Sequence, residues 1–289
     1  MTQDTSEPLK ISKPKPGLYI VATPIGNLRD ITYRAIDTLA AADVIACEDT
    51  RVTAKLLAAH DIPTATAPYH EHNAAKMRPT LMRRLQNGEI VALVSDAGTP
   101  LISDPGYKLV REAIDKGVPV TPIPGASAPL TALSAAGLPT DQFLFAGFLP
   151  TRTAQRRGIL QSLASIPTTL VFFESPHRLA ASLTDMDAVL GSRQAVMARE
   201  LTKRYEEFRR GMLGELAAHY AEAGAPKGEI VLIVGPPGVR ETVQEDIDTL
   251  LRKALNSMSI RDAAATVSTA TGKPRREVYT RALELDGGE

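Results

Sequence analysis

From Leu18 onward, apolar runs with strand character alternate with segments of helical period. "LYIVATP" gives way to "DITYRAIDTLAAAD", "VIACE" to "TRVTAKLLAAH" and "IVALVSD" to "PGYKLVREAIDKG", after which "VPVTPIP" closes the series. Such alternation predicts a mostly parallel sheet with helices on its faces. Ile90 to Val94 has no polar member, as expected of a strand covered on both sides. A second series follows "PGASAPLTALSAAGLP". Its strands are "FLFAGFLP", "TTLVFFES", "AVMAREL", "EEFRRGML" and "EIVLIVG", and the helices "TAQRRGILQSLASI", "PHRLAASLTDMDAVL" and "LGELAAHYAEAG" lie between them. The fold class read from this is α/β, with two α/β domains, 17–124 and 125–238, meeting near residues 122–128. Beyond "GPPG" at 235–238 the pattern is helical only. Ser259 is placed to cap a helix through "IRDAAATVSTAT", Gly272 to end it and Pro274 to open "RREVYTRALEL". Residues 239–289 are thus expected to form a small helical hairpin of helix-turn-helix type.

A chain of 289 residues can bury a large core and has room for two domains. Lys plus Arg and Asp plus Glu both number 33, so no overall field draws the molecule to nucleic acid or membrane, and any such contact must use local patches. Lys273, Arg275, Arg276 and Arg281 make one such patch in the tail, which reads either as a nucleic-acid contact or as a packing appendage. The single cysteine, Cys47, leaves no internal disulfide framework and fits a reducing compartment. Residues 1–16, rich in Pro, Lys and Ser, lack a signal-peptide core and read as a disordered lead-in. With no uninterrupted run of about 18 apolar residues, the expectation is a cytoplasmic protein that does not enter a membrane.

The chemistry gathers in loops at strand ends. "SDAGTPLISDPG", residues 95–106, is longer than a connection to the next helix needs, and it carries carboxylates and glycines where parallel sheets bind ligands. Asp96 can accept hydrogen bonds from ribose hydroxyls or an amine, and Gly98 lets a ligand approach the backbone. "TPIGNLRD" ends the first strand, and "PGASA" places the Ser127 hydroxyl and N–H at a helix start. No G-x-G-x-x-G follows a strand and no G-x-x-x-x-G-K-[ST] occurs, which disfavours phosphate-driven nucleotide chemistry. His70, Glu71 and His72 have neither Cys partners nor an H-E-x-x-H spacing and read as a surface loop rather than a metal site. "ACEDTR" puts Glu48, Asp49 and Arg51 at a strand end, "ESPHR" does the same with Glu174, His177 and Arg178, and "ARELTKRYEE" adds Arg199, Glu200, Lys203 and Arg204. These charges serve either helix capping and ion pairing or the handling of a substrate.

The blocks "TPIGNLRDIT", "CEDTR", "SDAGTPLISDPG", "PGASA", "GFLP", "ESPHR", "ARELTK" and "KGEIVLIVG" occur in this order between residues 18 and 235. In them the sequence resembles the tetrapyrrole methylase-like S-adenosylmethionine-dependent methyltransferases, most closely the branch that methylates the 2′-hydroxyl of a decoding-region cytidine in 16S rRNA. The resemblance implies two α/β domains with S-adenosylmethionine in the cleft between them, no metal, and a homodimer acting on the small ribosomal subunit. It implies cofactor contacts from Pro24, Ile25, Asp96, Gly98, Thr99, Ser127, Ala128, Phe173, Gly228 and Glu229. A ribose hydroxyl is a weak nucleophile and calls for a proton acceptor, for which Glu48, Asp49, Glu174 and Glu200 are the candidates. Arg51, His177, Arg178, Lys203, Arg275 and Arg276 are expected to meet RNA, the cations by neutralising phosphates. Two other classes stay open: a tetrapyrrole (uroporphyrinogen-type) C-methyltransferase, which should not need a basic helical tail, and a non-catalytic RNA-binding protein.

Overall fold

The computed structural model describes residues 14–238 and 244–286; residues 1–13 of the expected lead-in lie outside them. The chain divides into two compact units, one ending at Pro236 and one beginning at Pro237. The first unit holds two five-stranded sheets. In the N-terminal sheet β1 (Gly17–Val21), β2 (Val44–Cys47), β3 (Thr66–Pro68), β4 (Ile90–Val94) and β5 (Val120–Ile123) are all parallel, in the order β3-β2-β4-β1-β5. Helices α1 (Tyr33–Ala41), α2 (Thr50–Ala59), α3 (Ala74–Gln86) and α4 (Tyr107–Asp115) connect the strands. The unbroken apolar run of β4 has a simple cause. Ile90, Ala92 and Val94 enter one core with Tyr19, Leu39 and Ile45, whereas Val91 and Leu93 enter another with Leu18, Leu81 and Leu109. The starts of α1 and α2 are locally encoded: the Thr32 hydroxyl accepts from the Ala35 N–H, and the Asp49 carboxylate accepts from the Arg51 N–H at 2.8 Å. Because β1 pairs with both β4 and β5, the loops that leave these three strands stand side by side.

The second sheet has the order β6-β7-β10-β8-β9, built from β6 (Phe143–Phe148), β7 (Thr169–Glu174), β8 (Gln194–Arg199), β9 (Glu207–Met212) and β10 (Ile230–Val234). Only β6 and β7 run parallel; the β7–β10, β10–β8 and β8–β9 pairs are antiparallel. Helices α6 (Thr153–Leu163), α7 (Leu179–Leu190) and α8 (Leu213–Ala223) cover one face over Leu170, Phe172, Met197 and Leu232. The other face packs Val171, Val196, Val231 and Ile233 against α5 (Ala128–Ala136) and against Ile25, which comes from the loop after β1. That contact ties the loop after β1 to the second sheet.

The second unit is a bundle of three helices, α9 (Gln244–Leu255), α10 (Ile260–Thr271) and α11 (Arg275–Asp286), rather than a two-helix hairpin. The Ser259 hydroxyl caps α10, and Gly272 ends it in the left-handed region at φ +68°. The added helix has a packing reason: Ile247 and Leu251 of α9 complete a core with Ala264, Val267, Val278 and Ala282 that two helices alone would leave open.

Candidate functional site

Six loops converge on one cavity of about 360 Å³ in the first unit. The loop after β1 is stitched to the long loop after β4 by a pair of backbone bonds: the Thr23 N–H donates to the Gly98 carbonyl at 2.9 Å, and the Gly98 N–H returns one to Thr23 at 3.0 Å. The Thr23 hydroxyl donates to the Ser95 carbonyl and the Thr99 hydroxyl to the Ala126 carbonyl, which joins the loop before α5 to the same assembly. On the far side, the Asn27 N–H donates to the hydroxyl of Thr202, in the loop after β8. Gly98 (φ +81°) and Gly228 (φ +99°) hold conformations that side chains rarely adopt, and a Cβ at Gly228 would overlap the Glu200 carboxylate. Leu101, Ser103, Glu200 and Thr202 hold positive φ as well, all in two of these loops. Non-glycine residues in that region cost on the order of 1–3 kcal/mol each and concentrate at ligand sites.

The comparisons with known proteins point one way. The model described as Tetrapyrrole (Corrin/Porphyrin) Methylases matches residues 17–217, and one described as RsmI C-terminal HTH domain matches 241–286. A protein of Mesorhizobium japonicum called ribosomal RNA small subunit methyltransferase I is 56% identical over 94% of this chain and 92% of its own length. The protein of that name from Escherichia coli O157:H7 is 47% identical over 93% and 96%. The chain belongs to the tetrapyrrole methylase family, in its ribosomal RNA small subunit methyltransferase I group. Solved structures of lower identity share the fold. Uroporphyrin-III C-methyl transferase from Thermus thermophilus, solved complexed with S-adenyl homocysteine, has a TM-score of 0.54 at 21% identity, covering 76% of this chain and 97% of that one. Diphthine synthase has a TM-score of 0.60 at 16% identity, covering 75% and 89%.

Within this methylase fold, Ile25, Gly98, Thr99, Ser127, Ala128, Phe173, Gly228 and Glu229 all line the cavity. Pro24 and Asp96 do not. Asp96 Oδ1 instead accepts from the Asp49 N–H at 2.9 Å and so anchors the start of α2. Ser127 is the residue before α5, as expected of a helix start, yet its hydroxyl makes no capping bond, and it faces the cavity. Sequence reasoning missed Asp104, Phe148, Leu201 and Val231, which also line it. The signal for Asp104 was the excess length of its loop. For Phe148 and Leu201 it was their places in "GFLP" and "ARELTK".

Of the candidate acids only Glu174 reaches the cavity wall. It is 3% exposed and accepts from the Ser175 N–H and the Ser182 hydroxyl, with the Arg178 Nε at 3.4 Å. Glu200 lies behind Gly228. Burial works to raise its carboxyl, but bonds from Lys203 and the Glu229 N–H outweigh that and leave it below the ordinary range. Asp49 is bonded by the Arg51 side chain and backbone, which lowers its carboxyl to about 2. Glu48 is raised by burial and by the nearby Asp96. Asp104 is pushed up to about 6, by burial first and then by Glu48.

The expected phosphate ligands divide. Arg51 is 88% exposed, although it pairs with Asp49 at 2.6 Å, and Arg275 and Arg276 are exposed with no salt bridge among the described residues. Arg178 donates to the Leu149 and Pro150 carbonyls, and Lys203 bridges Glu200 (3.0 Å) and Glu229 (2.9 Å), so both cations are committed inside the chain. That is the ion-pairing role weighed against phosphate contact above. His177 is exposed in a short 3₁₀ turn, and Arg281 of the tail pairs with Asp248 at 2.6 Å. Among the described residues, no group of three or more His, Cys, Asp or Glu is placed to hold a metal ion, and no helix is long and apolar enough to cross a membrane.

Proposed function

We propose that this chain transfers the methyl group of S-adenosylmethionine to the 2′-hydroxyl of a cytidine in the decoding region of 16S rRNA, on the small ribosomal subunit. The observation that carries the reading is the 56% identity, over 94% of the chain, to a protein named for small-subunit rRNA methylation. The choice of a cytidine 2′-hydroxyl rests on the block resemblance described above. The reading carries with it a homodimer in the cytoplasm and a division at 17–124, 125–238 and 239–289.

The cavity suits the cofactor. Its charged lining residues, Asp104, Glu174 and Glu229, are all acidic, which favours a ligand of net positive charge. Ile25, Ala128, Phe173, Leu201 and Val231 give apolar walls for a nucleoside, and the glycine conformations at 98 and 228 bring main chain to the cavity surface. When bound, S-adenosylmethionine supplies a methyl group on a sulfonium, from which a neutral thioether leaves readily without a metal. The chain's task is then to orient the hydroxyl, a contribution that in favourable cases is worth about 7–11 kcal/mol. Ser127, the glycine loops and Phe173 would fix the cofactor, while Arg51, Arg275 and Arg276 would neutralise RNA phosphates. Arg178 and Lys203 act by holding the Leu149–Pro150 and Glu200–Glu229 segments in place.

Incubation with tritiated S-adenosylmethionine tests the reading, offering small subunits that lack the methylation and, separately, uroporphyrinogen. Label on 16S rRNA alone is expected. Label on uroporphyrinogen would favour the C-methyltransferase reading, and label on neither, with RNA still bound, would leave a binding protein.

A further inference from the structure

Three carboxylates line the cavity, and two have cations beside them: Arg178 stands 3.4 Å from Glu174 and Lys203 is 2.9 Å from Glu229. Asp104 has no salt bridge among the described residues. It follows Ser103, held at φ +65°, and precedes Gly106 at φ +137°, where a Cβ would press on Leu93 and Leu101. Strained backbone, rather than a charged partner, sets its position. Glu48 beyond β2 and Asp96 at the start of the same loop act on it, and Asp49 and His70 in turn act on Glu48. Burial first and then the Glu48 charge raise its carboxyl to about 6, with the nearby Ser95 hydroxyl acting the other way. A carboxylate gathered with like charges on a cavity wall is costly to ionise, and an arriving cation relieves that cost.

We propose that Asp104 is the counter-ion for the positive charge of the adenosyl cofactor. The inference rests on the S-adenosylmethionine reading. S-adenosylmethionine offers a sulfonium and an α-ammonium; S-adenosylhomocysteine keeps only the ammonium, and 5′-methylthioadenosine has neither. If the cation requires the ionised carboxylate, affinity falls by about tenfold for each pH unit below the group's value, and binding in that range releases a proton. Glu48, Asp49, Asp96 and His70 around Asp104 are ionisable too, so the variant rather than the pH alone must assign the effect.

Isothermal titration calorimetry of the full chain with these three compounds, at pH 5.0 and 7.5 in two buffers of different ionisation enthalpy, tests this. S-adenosylmethionine is expected to bind about tenfold more weakly at pH 5.0, with proton release. Asp104→Asn should remove both effects, and Asp104→Glu should keep them. The same dependence for S-adenosylhomocysteine assigns the counter-ion to the ammonium; its absence there assigns it to the sulfonium. Equal affinity at the two pH values, persistence of the effect in Asp104→Asn, or the same effect with 5′-methylthioadenosine would overturn the proposal. Failure of the wild type to bind S-adenosylmethionine at pH 7.5 would instead sink the cofactor reading beneath it.

Discussion

Arg178 is the residue at which structural and substrate roles separate most cleanly, through the variant Arg178→Ala. Its guanidinium donates to the Leu149 and Pro150 carbonyls and stands beside Glu174, whose side chain is fully buried. A charged donor to a carbonyl is worth about 1.5–3 kcal/mol. Breaking a buried pair costs about 3–5 kcal/mol where the survivor is left alone. Glu174 keeps its bonds from Ser175 and Ser182, and Arg178 is itself 24% exposed, so the lower end applies. The loss should be about 2–3 kcal/mol, which in a unit of this size lowers the unfolding midpoint by about 4–12 °C. Thermal unfolding followed by circular dichroism measures it, with Arg51→Ala as the contrast. Arg51 is 88% exposed, and its variant should stay within about 0.5 kcal/mol of wild type. An Arg178→Ala protein that unfolds with the wild type while its RNA binding loses one charge's worth of salt dependence would refute the reasoning and return Arg178 to the phosphates.

Further outcomes follow from the same geometry. Gly228→Ala must place a Cβ against the Glu200 carboxylate at φ +99°, and it should weaken S-adenosylmethionine binding by about tenfold or more in equilibrium dialysis while keeping the fold; unchanged affinity would remove this loop from the site. Truncation after Pro236 leaves the cores of both sheets intact, so cofactor affinity should hold while the apparent KM for small-subunit particles rises, most at high salt. Asp104 lies above its unfolded value, so the folded protein holds an extra proton between about pH 4 and 6 and loses stability as pH rises through that window. Asp104→Asn should therefore stabilise the cofactor-free protein at pH 7.5, by an amount that grows from about pH 4 to 6 and is flat above. A pH-independent difference would contradict the raised value.

What the sequence made legible was what local physics encodes. The apolar run of β4, the Ser259 cap and the Gly272 stop depend on residues within a turn of one another, and each stands where expected, while Asp49 takes the capping role, one of its two readings. β3 escaped notice because it is three residues long and only half-buried. The antiparallel pairs of the second sheet escaped because alternation of strand and helix carries no strand direction. In the site, Asp96 and Asp104 share one loop and one chemistry, and nothing in the residue types tells them apart. Tertiary geometry turns Asp96 to the Asp49 N–H and Asp104 to the cavity. Lys203 and Arg178 each have an acid three or four residues away, Glu200 and Glu174, but their other partners, Glu229 and the Leu149 carbonyl, lie 26 and 29 residues away, beyond the reach of local sequence.

The most direct test of the central claim is the chemical identity of the product. Small subunits that lack the modification are treated with the protein and S-adenosylmethionine, and the 16S rRNA is digested to nucleosides and resolved by mass spectrometry. One new 2′-O-methylcytidine per particle is expected, absent when the cofactor is withheld and reduced in Gly228→Ala. Methyl groups found only on bases, or a cytidine left unmodified while the protein binds its cofactor, would contradict it.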